Sequence, residues 1–163
     1  MALIRDRRIV EDEWSHLDDA DAAPLVGAIT VSWDRWQAER DALRARSGPV
    51  GVRLPNTVEP REIADDLDRL GLVTIDFPRF SDGRGYSLAR LLRERHGYRG
   101  ELRAVGYVLR DQLFYMKRCG FDAFALKEGK DAVGALAAFD EFDVLYQPAA
   151  DEALPLWRRI SRA

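Results

Sequence analysis

The sequence predicts an α/β protein whose strand-helix units alternate to form a mostly parallel sheet behind an N-terminal hairpin. Two observations carry that expectation. Short β-rich runs such as "GAITVS" and "LVTIDF" alternate five times with stretches of helical period. Glycine also follows the helical stretches, at Gly48, Gly71, Gly97 and Gly120, where a helix is expected to stop and the chain to turn. Alternation of this kind needs crossovers, which are right-handed, so the strands run parallel beneath helices.

Taken in order, "ALIRDRRIVEDEW" reads as two short strands joined by a polar turn at Arg5–Arg8, and "SHLDDADAAP" as a loop. Strands are expected at residues 28–32, 50–54, 72–77, 101–105, 121–126 and 143–147, mutually parallel. Between them lie the charged amphipathic helix "WDRWQAERDALRARSG", the helix of "TVEPREIADDLDRLG" with Pro60 at its start, and "SLARLLRERHG", "VLRDQLFYMKRCG" and "KDAVGALAAFDEF". The 163 residues suit one domain: hairpin and loop over 1–24, parallel core over 25–147 and a surface tail over 148–163. Both an open doubly wound sheet and a partial barrel resembling a TIM barrel fit the pattern. Six strands cannot close an eight-unit barrel, so a partial one must cover its edges with the hairpin or a second subunit.

Composition removes several function classes. Lys and Arg number 25 against 28 Asp and Glu, a net charge of -3, which lacks the basic excess of a nucleic-acid-binding domain. No stretch approaches the length of a membrane span, and "MALIRDRRIVEDEW" has no uninterrupted apolar run of the kind a secretory leader carries, so a cytoplasmic protein is expected. The single Cys119 excludes an internal disulfide, and with only His16 and His96 no metal site is expected.

Ligands of parallel α/β folds bind at the carboxyl ends of the strands. Arg53, Arg79, Arg84 and Lys127 fall there, with Asp34, Asp82 and Glu128 between them, a set suited to an oxyanion. In "RFSDGRGYSLAR", Gly83 and Gly85 permit a tight turn or a close approach to a ligand, Ser81 or Asp82 is placed to cap the helix, and Arg84 stands at its entrance. The plainer reading is a strand-to-helix connection in which Asp82 pairs with a nearby Arg. No Walker A spacing is present, and Leu88 occupies the last glycine position of G-x-G-x-x-G. Arg90, Arg93, Arg95, Arg99 and Arg103 read as a solvated helix face, with an acidic docking partner as the alternative. Cys119 and His96, at helix C-termini, read as structural.

The segment Phe77–Leu126, "FPRFSDGRGYSLARLLRERHGYRGELRAVGYVLRDQLFYMKRCGFDAFAL", resembles the signature of a bacterial family catalogued as a domain of unknown function. Its members are described as oxidoreductases involved in sulfite reduction, and their genes lie beside those for sulfite reductase. The resemblance implies an accessory or oxyanion-binding protein of assimilatory sulfite reduction. Its implied partners are a small oxyanion and sulfite reductase; the exposed edges of a partial barrel and the apolar tail residues Leu154, Leu156 and Trp157 separately give a reason to expect a homodimer or a docked partner. The alternative is a small-molecule enzyme of sulfur metabolism with its anion site at the strand ends. No catalytic residue is implied, and no cofactor is identified, because the chain has neither a dinucleotide fingerprint nor a cysteine set for an iron–sulfur cluster. One departure stands out: Tyr107 occupies the place of an acid in the family pattern, where Asp would cap the next helix.

Overall fold

The alternating pattern resolves into one eight-stranded sheet in a computed structural model that describes residues 2–160. Its strands are β1 (Ala2–Arg5), β2 (Arg8–Val10), β3 (Ser15–His16), β4 (Ile29–Ser32), β5 (Val50–Pro55), β6 (Leu70–Phe77), β7 (Glu101–Gly106) and β8 (Ala123–Leu126), and the order across the sheet is β2-β1-β8-β7-β6-β5-β4-β3. From β3 to β8 every neighbouring pair is parallel, whereas β1 pairs antiparallel with both β2 and β8. Strands β4 to β8 lie side by side in chain order, so right-handed crossovers put all the helices on one face. The sheet curls into a half-barrel with those helices outside. A doubly wound sheet would reverse its strand order, and this one does not.

The helices are α1 (Trp33–Arg44), α2 (Pro60–Ile63), α3 (Arg84–Glu94), α4 (Leu113–Arg118), α5 (Ala132–Leu136) and α6 (Leu156–Ile160). Helix α3 shows why they adhere: Gly85, Leu88, Ala89 and Leu92 recur at helical spacing and are buried, Arg84, Arg90 and Glu94 are exposed, and Arg93, expected on a solvated face, is turned inward with its side chain 14% exposed. They meet the outward-facing strand residues Val52, Leu54, Val73, Ile75, Phe77 and Ala104 in the main core. Helix α1 starts at Ser32, whose Oγ accepts from the Arg35 N–H, and is pinned by the indole of Trp36, which donates to the fully buried Asp66 at 3.0 Å.

Four local expectations change. Residues 143–147 form no strand, because β1 already occupies the edge of β8 that a further parallel strand would need; Val144 and Tyr146 are exposed instead. Ser15–His16, expected in a loop, forms a short parallel strand, its flanking bonds running from Ser15 N to Ala28 O and from Leu17 N to Thr30 O. Gly48 and Gly71 close no helix: α1 ends at Arg44, and Gly71 lies inside β6, where the Trp14 ring fills the space a side chain would take. Gly97 and Gly120 do follow helices with positive φ. Of the tail, residues 161–163 lie outside the described residues, and α6 is tied back by the bond from Leu156 N to Tyr146 O.

The inner face of the sheet is unusually polar. Strand alternation places Thr30 and Ser32 of β4, Arg53 of β5, Thr74 and Asp76 of β6, and Glu101 and Arg103 of β7 on it. The segment 11–19 crosses this face as a strap. Arg103, expected on a solvated face, is 1% exposed and donates to Asp12 at 2.6 Å and to Glu101 at 2.7 Å. Asp12 also bonds His16, whose other ring nitrogen meets the buried Thr30 hydroxyl at 2.7 Å. Burial pushes the Asp12 carboxyl up, but the bonds from Arg103 and His16 outweigh it and hold it below the usual range.

Candidate functional site

At the carboxyl ends of β4 to β7 the inner face opens into a cleft of about 330 Å³, lined by Ser32, Asp34, Arg53, Pro55, Asp76 and Val105 among others. Alternation in the strands builds it. In β6, Ile75 and Phe77 go to the core beneath α3, which leaves Thr74 and Asp76 to the inner face; in β5, Val52 and Leu54 do the same for Arg53 and Pro55.

Arg53 is half-buried, and its Nη2 donates to the carbonyl of Leu17 in the strap at 2.8 Å. Among the described residues it has no carboxylate partner. Asp76 stands one row higher. Gly106 seats it: a Cβ there would lie 2.5 Å from Asp76 Oδ1 and 2.5 Å from the Phe77 carbonyl, and φ is +87°. Partial burial pushes the Asp76 carboxyl above its ordinary range, with Lys127 pulling the other way. Lys127 itself packs over the Tyr107 ring, 3.6 Å from its centre.

The DGRG loop is arranged differently. Arg84 donates through Nε and Nη2 to Asp82 at 2.9 and 2.6 Å, and this guanidinium, with Asn56 adding to the effect, holds the Asp82 carboxyl well below the usual carboxylate range. The Arg84 side chain is largely solvent-facing while that of Asp82 is mostly covered, and water around the guanidinium screens their attraction. Gly83 occupies the N-cap position in helical geometry without a side-chain bond, and Asp82 Oδ1 accepts from the N–H of Arg84, the first residue of α3, at 3.3 Å. Gly85 is buried: a Cβ there would lie 2.7 Å from Phe77 Cζ and 3.2 Å from Ile75 Cγ2. Its role is the close packing of helix on sheet. Arg79 is exposed, and its carbonyl accepts from Asp82 N in the turn. Of the expected set, then, Arg53 lines the cleft and Lys127 acts on it from beside Asp76. Arg79 and the Asp82–Arg84 pair lie outside it.

Tyr107 does not stand at a cap. The first residue before the turn Arg110–Gln112 is Leu109, in extended geometry, and Gln112 satisfies its N–H while donating to the Phe80 carbonyl at 3.1 Å. Cys119 is buried, and burial pushes its thiol up. A larger hollow of about 840 Å³ opens at the opposite end of the sheet, beneath residues 148–153. There Arg93 is consumed by Gly120 O, Tyr98 O, Gly100 O and Asp122, Arg90 by Glu94 and Arg7 by Asp140, so these three act as staples. Among the described residues no three of His, Cys, Asp or Glu gather to hold a metal ion, and no helix is long and apolar enough to cross a membrane.

Thr74 and Asp76 did not emerge as site residues from the sequence. The available signal was polar residues at every second position of "VTIDF", a pattern foreign to a strand buried on both faces.

A half-barrel of parallel strands, with an uncompensated arginine in a cleft at their carboxyl ends, has the build of a small-ligand α/β domain. The chain belongs to a family described as "Bacterial protein of unknown function (DUF934)", whose model matches residues 51–157, from β5 to α6. No curated protein and no solved structure matches it.

Proposed function

We propose that this protein is an oxyanion-binding accessory protein of assimilatory sulfite reduction that acts with sulfite reductase. One observation carries the binding half: Arg53, a half-buried cation without a carboxylate partner among the described residues, at the strand ends where parallel α/β folds hold ligands. The sulfur-metabolism half rests on the resemblance of Phe77–Leu126. Docking is supported by the exposed apolar residues Phe142, Val144, Tyr146 and Ile160 of the C-terminal arm, which also suit a homodimer.

The test is calorimetric titration with sulfite, followed by retention of purified sulfite reductase on the immobilised protein. Wild type binds sulfite, and Arg53→Ala weakens binding roughly 10- to 100-fold, the range for a charge-assisted hydrogen bond. Absence of both sulfite binding and retention refutes the proposal. An enzyme of sulfur metabolism is the second reading, favoured by the raised carboxyl of Asp76 in the same cleft, and turnover of sulfite by the isolated protein would support it instead.

A further inference from the structure

We propose that the cleft selects an oxyanion that still carries a proton, holding its charged oxygens at Arg53 and accepting its O–H at Asp76. The inference rests on the oxyanion reading of the cleft and adds the ligand's protonation state.

Register fixes the arrangement. Arg53 lies opposite Thr74, and Pro55 opposite Asp76, so donors and acceptor occupy successive inward-facing rows roughly 6.5 Å apart along the strand. A tetrahedral oxyanion hydrogen-bonded on both sides spans that interval. The lower row offers donors. Arg53, which lines the cleft, has no carboxylate to satisfy it among the described residues; Thr74 lies opposite it in register but is 1% exposed and outside the cleft lining, its buried hydroxyl oxygen without a hydrogen-bond partner among the described residues. A buried polar atom in that state calls for a water or a ligand. The upper row offers an acceptor, because the Asp76 carboxylate is committed to no hydrogen bond among the described residues.

An anion without a proton, seated on Arg53, turns lone pairs toward the Asp76 carboxylate and is repelled. One that keeps a proton donates it there, which is the stronger, charge-assisted kind of bond. The other charged groups near Asp76 do not change the sign: Asp34 at the start of α1 adds to the repulsion, and Lys127 offsets part of it. Asp76 is exposed, and its carboxyl is raised by partial desolvation against the pull of Lys127; acid that protonates it converts the acceptor into a donor and erodes the preference.

The experiment is calorimetric titration of the full chain with inorganic phosphate, sulfate and sulfite at fixed ionic strength, at neutral and mildly acidic pH. Phosphate, which keeps a proton at neutral pH, is expected to bind about tenfold or more tightly than sulfate, which has none. Asp76→Asn, checked by its melting temperature, strengthens sulfate and closes the gap, whereas Arg53→Ala weakens all three anions alike. Equal affinity for sulfate and phosphate in wild type, with Arg53→Ala weakening both, overturns the proton requirement and leaves the oxyanion reading standing. An unchanged phosphate-to-sulfate ratio in Asp76→Asn overturns it too. Failure of all three anions to bind overturns the oxyanion reading itself.

Discussion

Replacing Gly85 by alanine separates the two roles a glycine can have in the DGRG loop. The added methyl would sit 2.7 Å from Phe77 Cζ and 2.9 Å from Cε1, short of ordinary carbon contact by about 0.8 Å. Phe77 has nowhere to go. It is fully buried and wedged between Tyr86, 5.2 Å away at 62°, and Phe121, 5.8 Å away at 55°. Helix α3 must therefore lift from the sheet, an overpacking strain of about 1–3 kcal/mol, or roughly 3–10 °C in Tm for a domain of this size. Gly83→Ala is the control: its nearest neighbour would be Tyr86 Cδ2 at 3.9 Å, and the change should stay within about 0.5 kcal/mol. Thermal melts of the two variants, and of Gly85→Ala combined with Phe77→Leu, complete the measurement. Because the smaller residue removes the clash, the double variant should lose less than the sum of the single losses. A Gly85→Ala protein that melts with wild type while losing anion binding would refute the packing argument and return the glycine to a ligand-facing role.

Arg103→Met leaves Asp12 and Glu101 without their shared cation and should cost about 2–4 kcal/mol in urea denaturation, somewhat below a fully buried pair because both carboxylates keep some water. The strap should loosen in acid. Asp12 has a folded-state pKa below its unfolded value, so its contribution is complete above that unfolded value, about pH 4, and is lost as pH falls through the folded one. Protection of the Ser15 and Leu17 amides, read by hydrogen exchange, should fall over that interval in wild type and show no such dependence in Asp12→Asn. Cys119, buried with its thiol pushed up, should resist iodoacetamide in the native protein and label quickly in urea; fast native labelling, read by mass spectrometry, would contradict the burial.

The parallel core was legible because its signal is local: apolar runs of strand length, separated by helical period, specify both element type and direction of return. The edges were not. Whether 143–147 joins the sheet depends on which segment reaches β8 first in space, and a polar pair such as Ser15–His16 carries no strand signal of its own. The site divides in the same way. Arg53 lines the cleft, and the carboxyl-end rule that pointed to it needs only strand boundaries. Arg84 and Arg79 satisfied the same rule, yet Arg84 pairs with Asp82 two residues away, as the plainer reading of the loop expected. Arg103 was misread because a charged residue among other arginines looks solvated until its partners, Asp12 and Glu101, are known.

The pairing of Ala2–Arg5 with Ala123–Leu126 bears on how the protein is made. On a ribosome the first strand emerges long before its neighbour in the sheet exists, so the amino-terminal hairpin must wait, unpaired on one side, through the synthesis of every parallel unit. Sheet completion is therefore a late, long-range event, and chains of such high contact order gain their native edge slowly. During that delay the exposed rim of β8 is open to a strand from another nascent chain.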